Sequence, residues 1–131
     1  MERTRTRRRG LVTVLMIVVC ALLLVYVGRV FWLYAGATEG DVPSSSSIPL
    51  PGGSQVVNVI TDCGSGGCWS LIEVRPPDGS TPEDLARELG ADPQAKIAGN
   101  LIDPRTIWLW AEPKGDLLSI RADYWSSEWV P

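Results

Sequence analysis

Two cysteines near the middle of the 131-residue sequence, Cys63 and Cys68, bracket the small residues Gly-Ser-Gly-Gly. A pair at this spacing can be a disulfide, half of a metal site or a redox pair, and the glycines could form an anion-binding nest. A zinc site needs about four ligands, but the sequence has no histidine and only one further cysteine, Cys20. Thioredoxin-like pairs have only two intervening residues, and the lysine and hydroxyl of a phosphate loop are missing. The compartment in which the pair lies therefore decides between a disulfide and free thiols.

Residues suited to acid–base or nucleophilic catalysis are few. Without histidine, the Ser-His-acid and Cys-His arrangements are excluded. Three carboxylates, Glu83, Asp84 and Glu88, cluster on a predicted helix at a spacing that is ordinary for a solvated face. We therefore predict a protein that is not an enzyme and that holds no cofactor and no metal. The alternative is a ligand-binding or hydrolytic activity around this acidic helix.

A membrane-spanning helix is predicted over residues 11–34. Residues 11–27 carry no charge and rise about 26 Å as a helix, and continuing to Val30 gives about 30 Å, the thickness of a bilayer core. Aromatic residues and a long cationic side chain at the far end are typical of a membrane interface. The predicted interface residues are Arg29, Phe31, Trp32 and Tyr34.

The charges around this segment predict its orientation. Residues 1–10 carry five arginines, whereas only Arg29 lies at the other end, so the N-terminal head is expected in the cytoplasm and the C-terminal part outside. A cleaved secretory signal is the alternative, because Ala35-Gly36-Ala37 has the small-x-small pattern of a cleavage site. The apolar run exceeds the usual signal core of about 7–15 residues and ends well before those small residues, which favours an uncleaved anchor. Cys20 follows two valines and does not match a lipoprotein site.

Placement outside the cytoplasm favours a disulfide between Cys63 and Cys68, with free thiols or a regulatory bridge as the alternatives. Closing so short a loop is expected to stabilise the domain by about 2 kcal/mol. That contribution matters for a domain that buries only ~60% of its unfolded surface.

The remainder of the chain divides into a stalk and a domain. Residues 35–54 are rich in Ser, Pro and Gly and predict a flexible stalk. Residues 55–131 predict an α+β domain with an antiparallel sheet and one main helix in two layers, in the order β-β-α-β-β. The predicted strands are residues 56–60, 69–75, 107–112 and 117–123. The main helix begins after Thr81 and stops at Gly90, and a weaker helical turn follows through about Ala98.

Tryptophans are the most suggestive feature of the domain. Trp108 and Trp110 lie two residues apart on a predicted strand and so share one face, opposite Ile107, Leu109 and Ala111. One interpretation is that the C-terminal segment YWSSEW folds back and buries both indoles, because a small domain needs its large apolar residues in the core. The other is an exposed aromatic patch that marks a protein partner, a glycan or the membrane surface. The predicted interaction surface then comprises Trp108, Trp110, Trp125 and Trp129.

The charge of the C-terminal part bears on its partners. Residues 36–131 carry 14 acidic and six basic side chains, which argues against nucleic acid as a ligand. The Arg-rich head, single span, Ser/Pro/Gly stalk and CGSGGCW motif, with the Pro-Glu-Asp-Leu-Ala-Arg-Glu-Leu helix and Asp103-Pro104-Arg105, resemble uncharacterised membrane proteins of high-GC Gram-positive bacteria. This resemblance implies an envelope protein and no functional residue. The sequence predicts a single-pass protein of the cell membrane, in contact with the lipid bilayer, whose outer domain binds or scaffolds an envelope protein or glycan.

Overall fold

The structure, a computed structural model, describes residues 2–38, 40–65 and 67–124, and the chain divides into two compact units, Met1–Leu33 and Tyr34–Pro131. The helix α1 runs from Glu2 to Thr38. Among the described residues it is the one helix long and apolar enough to cross a membrane. Thr13 lies inside the apolar stretch, and its hydroxyl donates a hydrogen bond to the carbonyl of Arg9 at 3.0 Å, as a polar group within a bilayer requires. The predicted membrane helix is confirmed as a candidate span.

The second unit contains a five-stranded antiparallel sheet with a short helix on one face. The element bounds are β1 Gln55–Gly64, β2 Gly67–Arg75, α2 Pro82–Glu88, β3 Gln94–Ile97, β4 Ile107–Lys114 and β5 Leu117–Asp123. In the sheet, the strands lie in the order β1-β2-β5-β4-β3. The prediction of an α+β domain is confirmed, but the element order is β-β-α-β-β-β.

The additional strand is β3, where the sequence predicted a helical turn. Four residues are too few for a stable helix, whereas pairing with β4 satisfies their backbone groups. Lys96 lies opposite Trp108, and the ladder continues to Pro93, whose carbonyl accepts a hydrogen bond from Ala111 N at 2.9 Å. Exposure alternates along β3: Lys96 is exposed and Ile97 is partly buried. This alternation has the two-residue period of a strand rather than the period of a helix.

The core lies between the sheet and α2. Ser70, Ile72 and Val74 of β2 are buried, at alternate positions of the strand. From α2, Leu85 and Ala86 are buried in the same cluster as Ile72. Within the described residues, α2 buries one face of the sheet and leaves the opposite face more exposed.

The predicted flexible stalk is not confirmed. Pro43 is fully buried and Ile48 belongs to the core of the domain at 5% exposure, with Leu50 packed beside it. A 3-10 turn over Ser45–Ser47 brings Ile48 into this position. The composition suggested a tether because serine and glycine predominate, yet three well-spaced apolar residues are enough to hold the segment against the sheet.

The hairpin of β1 and β2 carries the disulfide. Cys63 lies directly opposite Cys68 with 4.0 Å between their Cα atoms, and the two sulfurs are bonded. The ladder continues to Gly64 and Gly67, and Gly67 has a φ of +120°, a conformation that favours glycine. The predicted disulfide is confirmed, and the conformation of Gly67 accounts for a glycine at that position.

We expect the double substitution of Cys63 and Cys68 by serine to lower the free energy of unfolding by about 2 kcal/mol, because the unfolded chain is no longer cross-linked. Urea unfolding of the full chain in detergent micelles, followed by tryptophan fluorescence, measures this change. Cys20→Ser is the matched control, since Cys20 is a free thiol and its loss opens no ring. An unchanged stability in the double variant would show that the disulfide does not stabilise the domain.

Candidate binding groove

The open face of the sheet carries the two tryptophans of β4. Ile107, Leu109 and Ala111 are buried in the core, so Trp108 and Trp110 lie on the opposite face, as the period of a strand predicts. Trp110 is 49% exposed, and Trp108 is half-buried. Adjacent positions on one face of a strand are about 7 Å apart, so the two indoles form one continuous surface.

Neighbouring strands surround these indoles with polar side chains. Trp110 lies between Arg121 of β5 and Gln94 of β3, and Arg121 in turn pairs with Leu71 of β2. Side chains at paired positions share one face of the sheet, so these four residues form a row across four strands.

A second row runs beside the first. In it, Trp108 lies between Asp123 of β5 and Lys96 of β3. The sheet therefore assembles, from four separate strands, a surface in which aromatic and charged groups alternate.

An open groove of about 500 Å³ lies along this face of the sheet, and its volume is within the range of small-ligand sites. Its walls combine indole faces with amide, hydroxyl, carboxylate and cationic groups. The lining residues are Leu71, Gln94, Trp108, Leu109, Trp110, Glu112, Lys114, Ser119, Arg121 and Asp123. We call this surface the tryptophan groove.

The cations around the groove lie close to aromatic rings or carboxylates. The Lys96 ammonium lies 3.7 Å from the centre of the Trp108 ring, and the Arg121 guanidinium lies 3.9 Å from the centre of the Trp69 ring. Arg121 Nε is 3.6 Å from a carboxylate oxygen of Asp123. These contacts restrain the Lys96 and Arg121 side chains beside the indoles. The arrangement is suited to non-covalent binding.

Two predicted members of the interaction surface, Trp125 and Trp129, lie outside the described residues. The interpretation that the segment YWSSEW buries the indoles also falls on those residues and stays a prediction. The predicted interface residues of the span lie in or at the end of α1, where Phe31 and Trp32 are 74% and 76% exposed and Tyr34 is also exposed.

One member of the acidic cluster on α2, Asp84, caps the helix. Asp84 Oδ2 accepts hydrogen bonds from the Thr81 backbone N–H at 3.2 Å and hydroxyl at 2.9 Å, while the Asp84 N–H donates to Thr81 Oγ1 at 3.1 Å. This reciprocal capping box satisfies backbone groups at the start of the helix. The hydrogen bond from the Thr81 backbone lowers the pKa of Asp84 below its ordinary value. The structure therefore gives this carboxylate a role in capping the helix.

The lowered pKa of Asp84 predicts a pH dependence. A carboxyl whose pKa is lower in the folded state stabilises that state above its unfolded pKa, and this contribution disappears as the pH falls through the folded pKa. We expect Asp84→Asn to be less stable than the wild type near neutral pH, with the difference shrinking below about pH 4 as Asp84 itself is protonated. Thermal unfolding across this range measures the difference. Glu88→Gln, at the other end of α2, is the control, and an Asp84→Asn difference that stays constant with pH would contradict the assignment.

Sequence reasoning missed the buried guanidinium of Arg105, whose side chain is 5% exposed. Arg105 donates from Nε and Nη2 to the two carboxylate oxygens of Asp103, at 2.9 and 2.7 Å, and Nη1 donates to Asp41. Its guanidinium also lies 3.8 Å from the centre of the Tyr124 ring. The hydrogen bonds to Asp103 hold the pKa of Arg105 above its ordinary value, so the charge is permanent. These contacts tie Asp41, which precedes the 3-10 turn, to the body of the domain, and we call them the arginine clamp.

The signal for this clamp was the Asp-x-Arg spacing of Asp103 and Arg105, which by itself does not reveal burial or the distant partner Asp41.

Within the described residues, no group of three or more His, Cys, Asp and Glu side chains could hold a metal ion. The described residues comprise an N-terminal apolar helix and, as a separate unit, a small α+β domain with tryptophans on one face of its sheet. No protein-family model matches the chain, and comparison with curated proteins and solved structures found no similar protein.

Proposed function

We propose that this chain is a single-pass membrane protein whose outer domain binds a component of the cell envelope through the tryptophan groove, without catalysis of its own. The N-terminal arginines lie in the cytoplasm, α1 spans the bilayer, and the domain lies outside. The observation that carries the proposal is the half-exposed Trp110 beside Trp108 on the sheet face that α2 leaves open. An exposed aromatic group that is rimmed by polar residues is typical of an interaction site.

Three further features support this proposal. The arginine-rich head precedes an apolar helix, which favours retention of the N-terminus in the cytoplasm. The Cys63–Cys68 disulfide suits an oxidising compartment. The groove supplies an aromatic anchor framed by polar groups, the composition expected of a recognition surface.

Photo-crosslinking in growing cells tests the proposal. Benzoylphenylalanine is placed at position 94 of the full chain, opposite Trp110 on the exposed edge of the groove. Its excited ketone inserts into C–H bonds of proteins and glycans alike, so the readout does not depend on the chemical class of the ligand. The matched position is 88, which is exposed on α2 and therefore belongs to the other side of the sheet.

We expect adducts of increased mass at position 94 but not at position 88, and we expect Trp110→Ala in the same chain to abolish them. Equal adducts at both positions would contradict the proposal because they report random encounters. An adduct within the chain, to residues 125–131, would also contradict it, since the groove would then be filled by the protein itself.

A further inference from the structure

We infer that the ligand of the tryptophan groove is an uncharged glycan; this inference rests on the proposed binding function and specifies its ligand. The occupant is assigned from the charge balance of the groove and from the mixture of groups that line it.

The charges that line the groove cancel. Two cations, Lys114 and Arg121, face two carboxylates, Glu112 and Asp123. Lys114 Nζ lies 3.7 Å from Glu112 Oε2, and Arg121 Nε lies 3.6 Å from Asp123 Oδ2. A neutral ligand can bind there while both pairs stay intact. The Lys96 ammonium beside the groove lies 3.7 Å from the centre of the Trp108 ring, so its charge already faces an aromatic surface.

The remaining lining groups suit a ligand with many hydroxyls. Trp110 offers a flat indole face, and Gln94 and Arg121 lie on either side of it in the same cross-strand row. Gln94 both donates and accepts hydrogen bonds, and so does Ser119, while Arg121 donates and Asp123 accepts. Each hydroxyl of a sugar needs a donor and an acceptor, while the C–H face of its ring packs against an aromatic surface.

Two other occupants fit less well. A polyanion or an anionic membrane surface would meet the carboxylates of Glu112 and Asp123 and a C-terminal part with 14 acidic and six basic side chains. A peptide that anchors through apolar side chains would find few apolar partners in the groove. Besides the two indoles, only Leu71 and Leu109 of the lining residues are apolar, and the others are polar or charged.

Isothermal titration calorimetry on the full chain in nanodiscs tests the inference. The probes are short uncharged oligosaccharides of glucose, N-acetylglucosamine, mannose, galactose and arabinose, with a uronic-acid oligosaccharide and phosphatidylglycerol vesicles as charged comparisons. We expect saturable binding of at least one uncharged oligosaccharide that changes little with salt concentration. Trp110→Ala should weaken it by about tenfold, the effect of losing one aromatic contact. Gln94→Ala, on the exposed edge strand, should weaken it measurably while leaving the fold intact.

Leu101→Ala is the matched control, because Leu101 is 83% exposed and is not part of the groove lining. Binding of only the charged probes, or binding that Trp110→Ala and Gln94→Ala leave unchanged, would overturn the inference. If no uncharged oligosaccharide binds while crosslinks at position 94 persist and are destroyed by protease, the ligand is a protein. In that case the glycan inference fails and the proposed binding function stands.

Discussion

Arg105→Met is expected to lower the free energy of unfolding by about 3 kcal/mol, the lower end of the cost of removing one partner of a buried ion pair. Arg105 is 5% exposed, whereas Asp41 and Asp103 keep 47% and 33% of their side chains in contact with water. The two carboxylates can therefore regain part of their hydration, and the lower end of the range applies. The variant also loses the contact of the guanidinium with the Tyr124 ring.

Chemical unfolding of the full chain in detergent micelles measures this effect, and Arg87→Met is the matched control. Arg87 pairs with Asp84 at 3.2 Å, but its side chain is 68% exposed, so its loss should cost less than about 1 kcal/mol. Arg105→Lys should be intermediate, because an ammonium cannot reproduce the two-point contact with Asp103. Similar losses in Arg105→Met and Arg87→Met would show that the arginine clamp is not a stabilising element.

Gly99→Ala is the second substitution with a large expected effect. A Cβ atom at this position would clash with the carbonyl group of Pro104 and would lie 2.7 Å from the carbonyl oxygen of Arg105. These are backbone atoms, which cannot move aside as the end of a flexible side chain can. The loop also depends on Asn100, whose side chain accepts hydrogen bonds from the N–H groups of Ile102 and Asp103 at 2.8 and 2.9 Å. We expect a loss of about 2–3 kcal/mol, at the upper end for an overpacked site.

The control for this substitution is Gly52→Ala, since nothing lies within 4 Å of the position that its Cβ would occupy. The same unfolding measurement compares the two variants. We expect Gly52→Ala to leave stability nearly unchanged or to raise it slightly by restricting the unfolded chain. Equal stability of Gly99→Ala and the wild type would contradict the close approach of residue 99 to Pro104.

The sequence carried the local signals of the fold well. Alternation in β4 predicted which side chains share a face, and the Thr81-Pro82 start predicted α2. These succeeded because strand and helix periods act over a few residues and do not depend on distant partners. The same alternation placed Trp108 and Trp110 on the face of the groove.

What the sequence could not reveal depends on contacts between distant residues. β3 forms because it pairs with the edge of β4. This tertiary interaction outweighs the local helix-start signal of Asp92-Pro93. The segment containing Ile48 packs on the core, and Asp41, which precedes Ile48, is held by Arg105, a partner 64 positions away. The remainder of the groove likewise comes from β3 and β5, whose order beside β4 is a property of the whole sheet.

We propose that α1 holds a disulfide-bonded binding domain outside the cytoplasm. The most direct test is labelling of Cys63 and Cys68 in intact cells with a membrane-impermeant maleimide, with and without prior reduction, read as a gel shift. The Cys20→Ser background removes the free thiol of the span from the readout. We expect labelling in intact cells only after reduction. Labelling that requires broken cells would contradict it, because the domain would then lie in the cytoplasm.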